Sequence, residues 1–192
     1  MIKLLIAGVD EAGRGPLAGP VFAAAVILKE KNLIKGLNDS KKLSEKRREY
    51  IVDDIKNLSE SWSIGICTSK EIDSINILQA SLLAMQRAIE NLIITPQQIL
   101  VDGIYAPKTD IPIKTIVRGD QSENSIMAAS ILAKVSRDNY MKELDKKFPE
   151  YGFKQHKGYP TKFHLEALKS HGIIKEHRLS FKPVSIINES NK

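Results

Sequence analysis

Asp10-Glu11-Ala12-Gly13-Arg14-Gly15-Pro16-Leu17-Ala18-Gly19-Pro20 follows directly on the apolar run Leu4-Leu5-Ile6-Ala7-Gly8-Val9. Two adjacent carboxylates therefore come at the end of a predicted strand. The loop after them leaves the backbone bare at three glycines, shapes it at two prolines and carries one arginine. Carboxylates at a strand end suit a metal ion, and a bare Gly-Arg-Gly loop suits a phosphate or sugar held close. The glycine spacing is not a dinucleotide fingerprint, because Pro16 and Pro20 interrupt it and the next stretch, 21–28, reads as a second buried strand. It lacks the Gly-Lys-Ser/Thr ending of a P-loop. Spacing alone supports an acidic hairpin loop without chemistry equally well.

Outward from this stretch, residues 3–9 and 21–28 predict an antiparallel pair. Asn38-Asp39-Ser40 reads as a turn, and Ser44 as the cap of a helix with Ile51, Ile55 and Leu58 on one face. Trp62, Ile64 and Ile66 alternate with Ser61, Ser63 and Gly65, the pattern of a half-buried strand. A long helix follows, with Leu78, Leu82, Met85, Ile89 and Leu92 at three- and four-residue steps, and stops before Thr95-Pro96. Ile99 to Asp102 repeats the arrangement of an apolar run ending in an acid. Ile111 to Val117 predicts a fifth strand, ending at Gly119-Asp120. From Ser122 the chain turns helical, and Ile126 to Val135 is apolar almost all round with many small residues, which fits a helix lying close on a sheet. Phe148-Pro149 ends it. A further helix is expected near Lys162 to Ser170, and Ile186 to Lys192 reads as a frayed tail. The class is α/β.

The 192 residues suffice for one sizeable domain, and a hydrophobic content of 42% with 27% charged residues is ordinary for a globular protein. No apolar run is long enough to span a membrane, and the start lacks signal-peptide character. The lone Cys67 excludes a disulfide framework and a cysteine-based metal site, so a cytoplasmic location is expected. The net charge of +6 is uneven: residues 1–133 hold 16 basic and 16 acidic residues, whereas 134–182 hold 12 and 6. A basic third beside an acidic site reads as a groove for a polyanion. The four histidines, His156, His164, His171 and His177, fit no common zinc spacing and read as packing or phosphate-facing residues.

Asp10, Asp102 and Asp120 each come at or just after a predicted strand end, where sites in open α/β sheets assemble. Taken singly, Asp102 is equally a turn former and Asp120 a helix cap. Glu11, as the strand neighbour of Asp10, joins the site only if the chain has already left strand geometry. Asp138 reads as structural, paired with a nearby basic residue.

The blocks DEAGRGPLAGP (10–20), NDSKKLS (38–44), VDG (101–103), GD (119–120), SIMAASILAKVSRD (125–138), HKGYPT (156–161) and HRLSFKPV (177–184) resemble, in order and over nearly the full length, the signature of the ribonuclease HII family. Leu179, and Arg118 before Gly119, depart from its usual basic residues without touching a proposed ligand. The resemblance implies a ribonuclease H-like core, a five-stranded mixed sheet flanked by helices, with a C-terminal helical appendage. It divides the chain into one catalytic domain over 1–183, whose basic helical part begins near 143, and a tail over 184–192. It implies an endoribonuclease that hydrolyses the RNA strand of RNA/DNA hybrids and nicks 5′ of single ribonucleotides in duplex DNA. Asp10, Glu11, Asp102 and Asp120 would hold two Mg²⁺ or Mn²⁺ ions, leaving 3′-hydroxyl and 5′-phosphate ends. Gly13, Arg14, Gly15 and Tyr159 would read the RNA–DNA junction, with Ser40 and Lys41 as weaker phosphate contacts. A monomer is expected. The rival readings are another nuclease or recombinase of the same fold, and a nucleic-acid-binding module without catalysis.

Overall fold

The computed structural model describes residues 4–29, 34–37, 40 and 43–190. The turn expected at Asn38-Asp39 and the contacts expected of Lys41 fall outside these residues. Five strands form one sheet in the order β3-β2-β1-β4-β5. β1 (Ile6–Ala12) and β2 (Val21–Leu28) pair antiparallel, as do β2 and β3 (Ser59–Cys67). β4 (Gln98–Asp102) and β5 (Ile113–Ile116) extend the sheet in parallel from β1. The expected five-stranded mixed sheet is therefore present.

Helices cover both faces. α1 (Glu45–Leu58) starts at Ser44, whose side chain accepts from the Arg47 amide as the sequence predicts. It packs with α3 (Asn124–Lys147) on one face, where Ala24 and Val26 meet Ile51, Ile55, Ala128 and Leu132. Contact there is close. A Cβ added at Gly8 would stand 2.1 Å from the Ser125 carbonyl carbon, so only glycine lets α3 lie on β1.

α2 (Ser69–Glu90) covers the other face through Ala80, Ala84, Met85, Ala88 and Ile89. Its N-terminus carries a capping box between Thr68 and Glu71. The expected single helix is broken at Asn76 (φ 67°, ψ 166°), whose side chain re-caps the second piece by accepting from the Gln79 amide at 3.1 Å.

β3 does alternate, but the small residues face inward. Ser59, Ser61, Ser63, Gly65 and Cys67 are buried, whereas Trp62 and Ile66 lie on the outside. The cause is again close approach: a Cβ at Gly65 would stand 2.0 Å from the Ala84 carbonyl oxygen of α2. Cys67 is buried there, and burial pushes its thiol up to about 11, so it is an inert core residue.

The C-terminal part is helical: α4 (Phe153–His156), α5 (Lys162–His171) and α6 (Val184–Ser190). A third core cluster joins Leu17 and Ala18 of the glycine-rich loop to Met141, Tyr151, Phe153 and Leu168. Val184 is fully buried in it, so the end of the chain departs from the expected tail and forms a docked helix over Val184–Ser190.

Candidate active site

The last paired residues of β1 and β4 are Val9 and Val101. The next residue on each strand is an acid, so the parallel register brings Asp10 and Asp102 side by side at the sheet end. Both point to the face covered by α3, opposite to Val9 and Val101, which face α2. Asp10 is only 5% exposed. Its Oδ1 accepts the Glu11 main-chain N–H at 2.7 Å, and its carboxyl is hydrogen-bonded to Ser130 of α3. Ser130 in turn shares a 2.9 Å hydrogen bond with Ser40. Burial above all, then the charges of Glu11 and Asp102, hold the Asp10 carboxyl well above the usual carboxylate range.

Asp120 lies in a one-turn 3₁₀ helix, Gly119–Gln121, reached through Arg118 in the left-handed region. Its main-chain N–H donates to Asp102 Oδ1 at 3.4 Å. It does not cap α3, whose N-cap is Glu123.

Glu11 differs from the expectation. β1 continues in regular pairing to Ala12, so the chain has not left strand geometry, and Glu11 points to the α2 face. It still lines the same cavity as Asp10, because β4 ends at Asp102 and leaves the tip of β1 open on that side. Its carboxylate pairs with Arg14 at 3.1 Å.

That cavity, of about 260 Å³, places Asp10, Glu11 and Asp102 beside Gly13-Arg14-Gly15 and Tyr159. Asp120 is not among its lining residues. Tyr159 is 46% exposed, and its ring edge stands 3.4 Å from where a Cβ at Gly15 would lie. Gly15 and Tyr159, two of the residues expected to read the sugar, thus stand beside each other although 144 positions apart. Asp138 binds Lys134 at 2.7 Å and Arg48 at 3.8 Å, the structural role its sequence context suggests.

The model of the family described as Ribonuclease HII matches residues 7–184. The chain belongs to the ribonuclease HII family. It is 56% identical over 180 residues to the ribonuclease HII of Aliivibrio fischeri, covering 94% of this chain and 87% of that one. The ribonuclease H2 of Pyrococcus horikoshii superposes with a TM-score of 0.82 at 29% identity, covering 97% and 98% of the two chains. Bst-RNase HIII, solved in complex with Mn²⁺, shares the fold at a TM-score of 0.74 and 16% identity, over 98% of this chain and 70% of that one. The chain is accordingly a ribonuclease H, a hydrolase acting on RNA/DNA.

The chemistry of the donor set fits the hard divalent cations that the family implies. It is oxygen-only, three of its four members line one cavity, and it raises the Asp10 carboxyl in a way a cation would relieve. Among the described residues no three acids or histidines are gathered on one point at ligating distance. Glu11 is turned to Arg14 instead.

Sequence reasoning missed two buried arginines that shape this family's glycine-rich loop. Arg178, fully buried, donates from Nη2 to the Gly13 carbonyl at 2.6 Å, from Nη1 to Arg14 at 2.8 Å and from Nε to Gly19 at 3.0 Å. Arg137 donates to the carbonyls of Ala18, Pro20 and Lys157 at 3.0–3.1 Å, tying the loop to the segment that carries Tyr159. Burial brings Arg137 down to about 10 and Arg178 to about 9. Both sit in the basic third, where their charge reads as surface. The signal available was their place in the motif blocks, 125–138 and 177–184.

None of the histidines lines the cavity. His177 Nδ1 accepts the Ile174 N–H at 3.0 Å, so its proton is on Nε2 and is donated to His164 Nε2 at 3.1 Å. His164 must then carry its proton on Nδ1, donated to the Tyr159 carbonyl at 3.0 Å. His156 accepts from the Gly158 N–H on Nδ1 and donates to the Tyr151 carbonyl. These three rings hold backbone, in keeping with a packing role.

Proposed function

We propose that the chain hydrolyses the RNA strand of RNA/DNA hybrids and nicks duplex DNA 5′ of single ribonucleotides, with Asp10, Glu11, Asp102 and Asp120 as ligands of two Mg²⁺ or Mn²⁺ ions. The observation that carries this is one cavity holding acids from adjacent strand ends together with a bare Gly-Arg-Gly loop and the Tyr159 ring. Bound there, such ions supply Lewis acidity for water to attack phosphorus and for the 3′-oxygen to depart, leaving 3′-hydroxyl and 5′-phosphate ends. A ribonuclease HIII of the same fold binds Mn²⁺, which supports the choice of cation.

The remaining work falls to this chain's own groups. Arg14, about half exposed, offers its guanidinium to a phosphate once Glu11 is engaged elsewhere. The main chain at Gly13 and Gly15 approaches a ribose without an intervening Cβ and reads the 2′-hydroxyl, the group that separates RNA from DNA. Tyr159 packs its ring on the adjoining deoxyribose. Residues 1–183 act as one catalytic domain in a cytoplasmic monomer, with α6 docked on it. No helix among the described residues is long and apolar enough to cross a membrane.

The test is cleavage of a labelled DNA duplex carrying one ribonucleotide, with Mg²⁺ or Mn²⁺, beside an all-DNA duplex. A nick confined to the 5′ side of the ribonucleotide is expected. Equal cutting of the all-DNA duplex would overturn the sugar reading, and binding without any cutting would leave a mere binding module.

A further inference from the structure

A second cavity, of about 280 Å³, begins where the first one ends. Glu11, Arg14 and Asp102 line both, so the tip of β1 is a saddle between them. Across from those polar residues stand Leu82 and Met85 of α2, with Ile104 and Tyr105 of the loop after β4. Leu82 continues into a third hollow of about 360 Å³, bordered by Gln79, Gln86 and Lys108. Joined by these shared lining residues, the three spaces follow one another along α2 as a trough, from the acids past an apolar wall to the hollow that Lys108 borders.

We infer that this trough carries the nucleotides of the cut strand that lie beyond the scissile phosphate on the side away from Tyr159. The inference rests on the proposed nuclease reading for the position of that phosphate. A strand whose phosphate lies at the shared acids must leave the saddle in two directions. One direction passes the Gly-Arg-Gly loop and Tyr159, and the trough is the other opening lined by the same three residues. Its chemistry matches a polynucleotide. Ile104 and Tyr105, 66% and 52% exposed, lie side by side in its wall and form a contiguous apolar surface next to the strand-end acid. Gly103, at φ 93°, turns the chain so that they follow Asp102 immediately. An aromatic and an aliphatic face suit sugar rings and bases, the amides of Gln79 and Gln86 suit base edges or hydroxyls, and Arg14 and Lys108 place a cation at each end for phosphates.

The experiment measures the affinity of a fluorescent duplex carrying one ribonucleotide, in EDTA so that nothing is cut. Wild type is compared with an Ile104→Ala/Tyr105→Ala double variant and with Lys108→Ala. All three positions are surface ones, so unchanged thermal unfolding is expected. The double variant should bind about tenfold more weakly. Lys108→Ala should lower the slope of log affinity against log salt by about 0.9. Repeating the titration with duplexes whose cut strand stops beside the ribonucleotide, on either side in turn, locates the effect: one truncation should abolish the difference from wild type and the other should preserve it. Wild-type affinity in the double variant, or a deficit that survives both truncations, would overturn the trough. Cleavage of the same duplex by wild type with Mg²⁺ tests the nuclease reading separately. A chain that cuts although the double variant binds normally retains the active site without the trough, and one that never cuts although the variant loses affinity retains the trough alone.

Discussion

Asp10 and Gly13 are three residues apart, yet they are held in place by different forces. Asp10 sits in the ladder between β2 and the end of β4, and its position next to Asp102 follows from the register of two parallel strands. Gly13 has left the sheet, and its carbonyl is held by a guanidinium 165 residues further on. The acids are fixed by backbone pairing but electrostatically strained, since burial and neighbouring charges both oppose ionisation at Asp10. The loop is electrostatically satisfied but topologically remote, depending on Arg137 and Arg178. On the proposed reading, reactivity is assembled from the sheet and recognition from a loop held by α3 and by Arg178, so the two can be damaged separately.

The sharpest way to separate them is Asp10→Asn. The substitution keeps the size of the side chain and removes the charge a divalent cation needs. Cleavage should fall by about a thousandfold or more, roughly 4 kcal/mol of transition-state stabilisation. The same change relieves a buried like-charge contact, so the metal-free protein should melt at a higher temperature than wild type. A variant that lost activity and stability together would show that Asp10 is a structural acid, and the comparison would collapse.

Arg178→Met tests the other half. It leaves the carbonyls of Gly13, Arg14 and Gly19 without their buried donor, at about 1–3 kcal/mol for each group left unpaired. A net loss of about 3 kcal/mol is expected from the denaturant midpoint, since some of these oxygens will find water. Arg178→Lys restores charge without the planar fork that reaches three carbonyls. It should recover part of the stability while preference for the ribonucleotide duplex over all-DNA stays reduced. Full recovery of that preference by lysine would show that charge alone holds the loop.

The acid half was legible in the sequence because its signal is local. An apolar run that ends in Asp predicts a strand end with an acid; Val101-Asp102 obeys it, whereas β1 runs on to Ala12 and Asp10 marks only the end of its pairing with β4. Their adjacency was not legible, since it depends on β1 pairing with β4 across 92 residues. The alternation of β3 was legible, but which of its faces is buried was not, for a related reason. Hydrophobicity ranks Trp62 and Ile66 above Ser63 and Gly65, but the inner face has no room for large side chains beneath α2, and Ser63 satisfies its hydroxyl there on the Ala88 carbonyl. Arg137 and Arg178 were hidden by composition: an arginine in a basic segment looks solvated, and only tertiary structure shows one surrounded by carbonyls. Glu11 was expected to need an irregular backbone, whereas the shortness of β4 does the same work.

A smaller effect is expected at Tyr159, where the two halves meet. Its ring is half exposed and touches Gly15, so Tyr159→Ala should leave the melting temperature within error of wild type. Loss of one stacking face is worth about 1–3 kcal/mol, so nicking at a single ribonucleotide should slow by about tenfold or more. Tyr159→Phe keeps the ring and should retain most of the activity. Equal losses in both variants would assign the role to the hydroxyl instead.

The smallest effect concerns acid, and it bears on the C-terminal half alone. His164 and His177 are fully buried, and burial brings both from 6.5 to about 4. The folded state therefore binds their protons less readily than the unfolded state between these two values, so stability rises with pH across that window and is lost as pH falls from 6.5 towards 4. The wiring explains the direction: each Nε2 already faces the other, and a proton added to His164 would set N–H against N–H. Since His164 donates to the Tyr159 carbonyl, weakening this pair loosens the segment that carries Tyr159 before the sheet. Melting temperature should fall by several degrees between pH 6.5 and 4.5, and backbone amide exchange measured at pH 5 should quicken first around residues 156–164. A His177→Gln variant lacks one of the two titrating rings, so its melting temperature should depend less steeply on pH across the same range. An equally steep dependence in that variant would place the acid sensitivity outside this pair, for instance at His156, which burial also lowers.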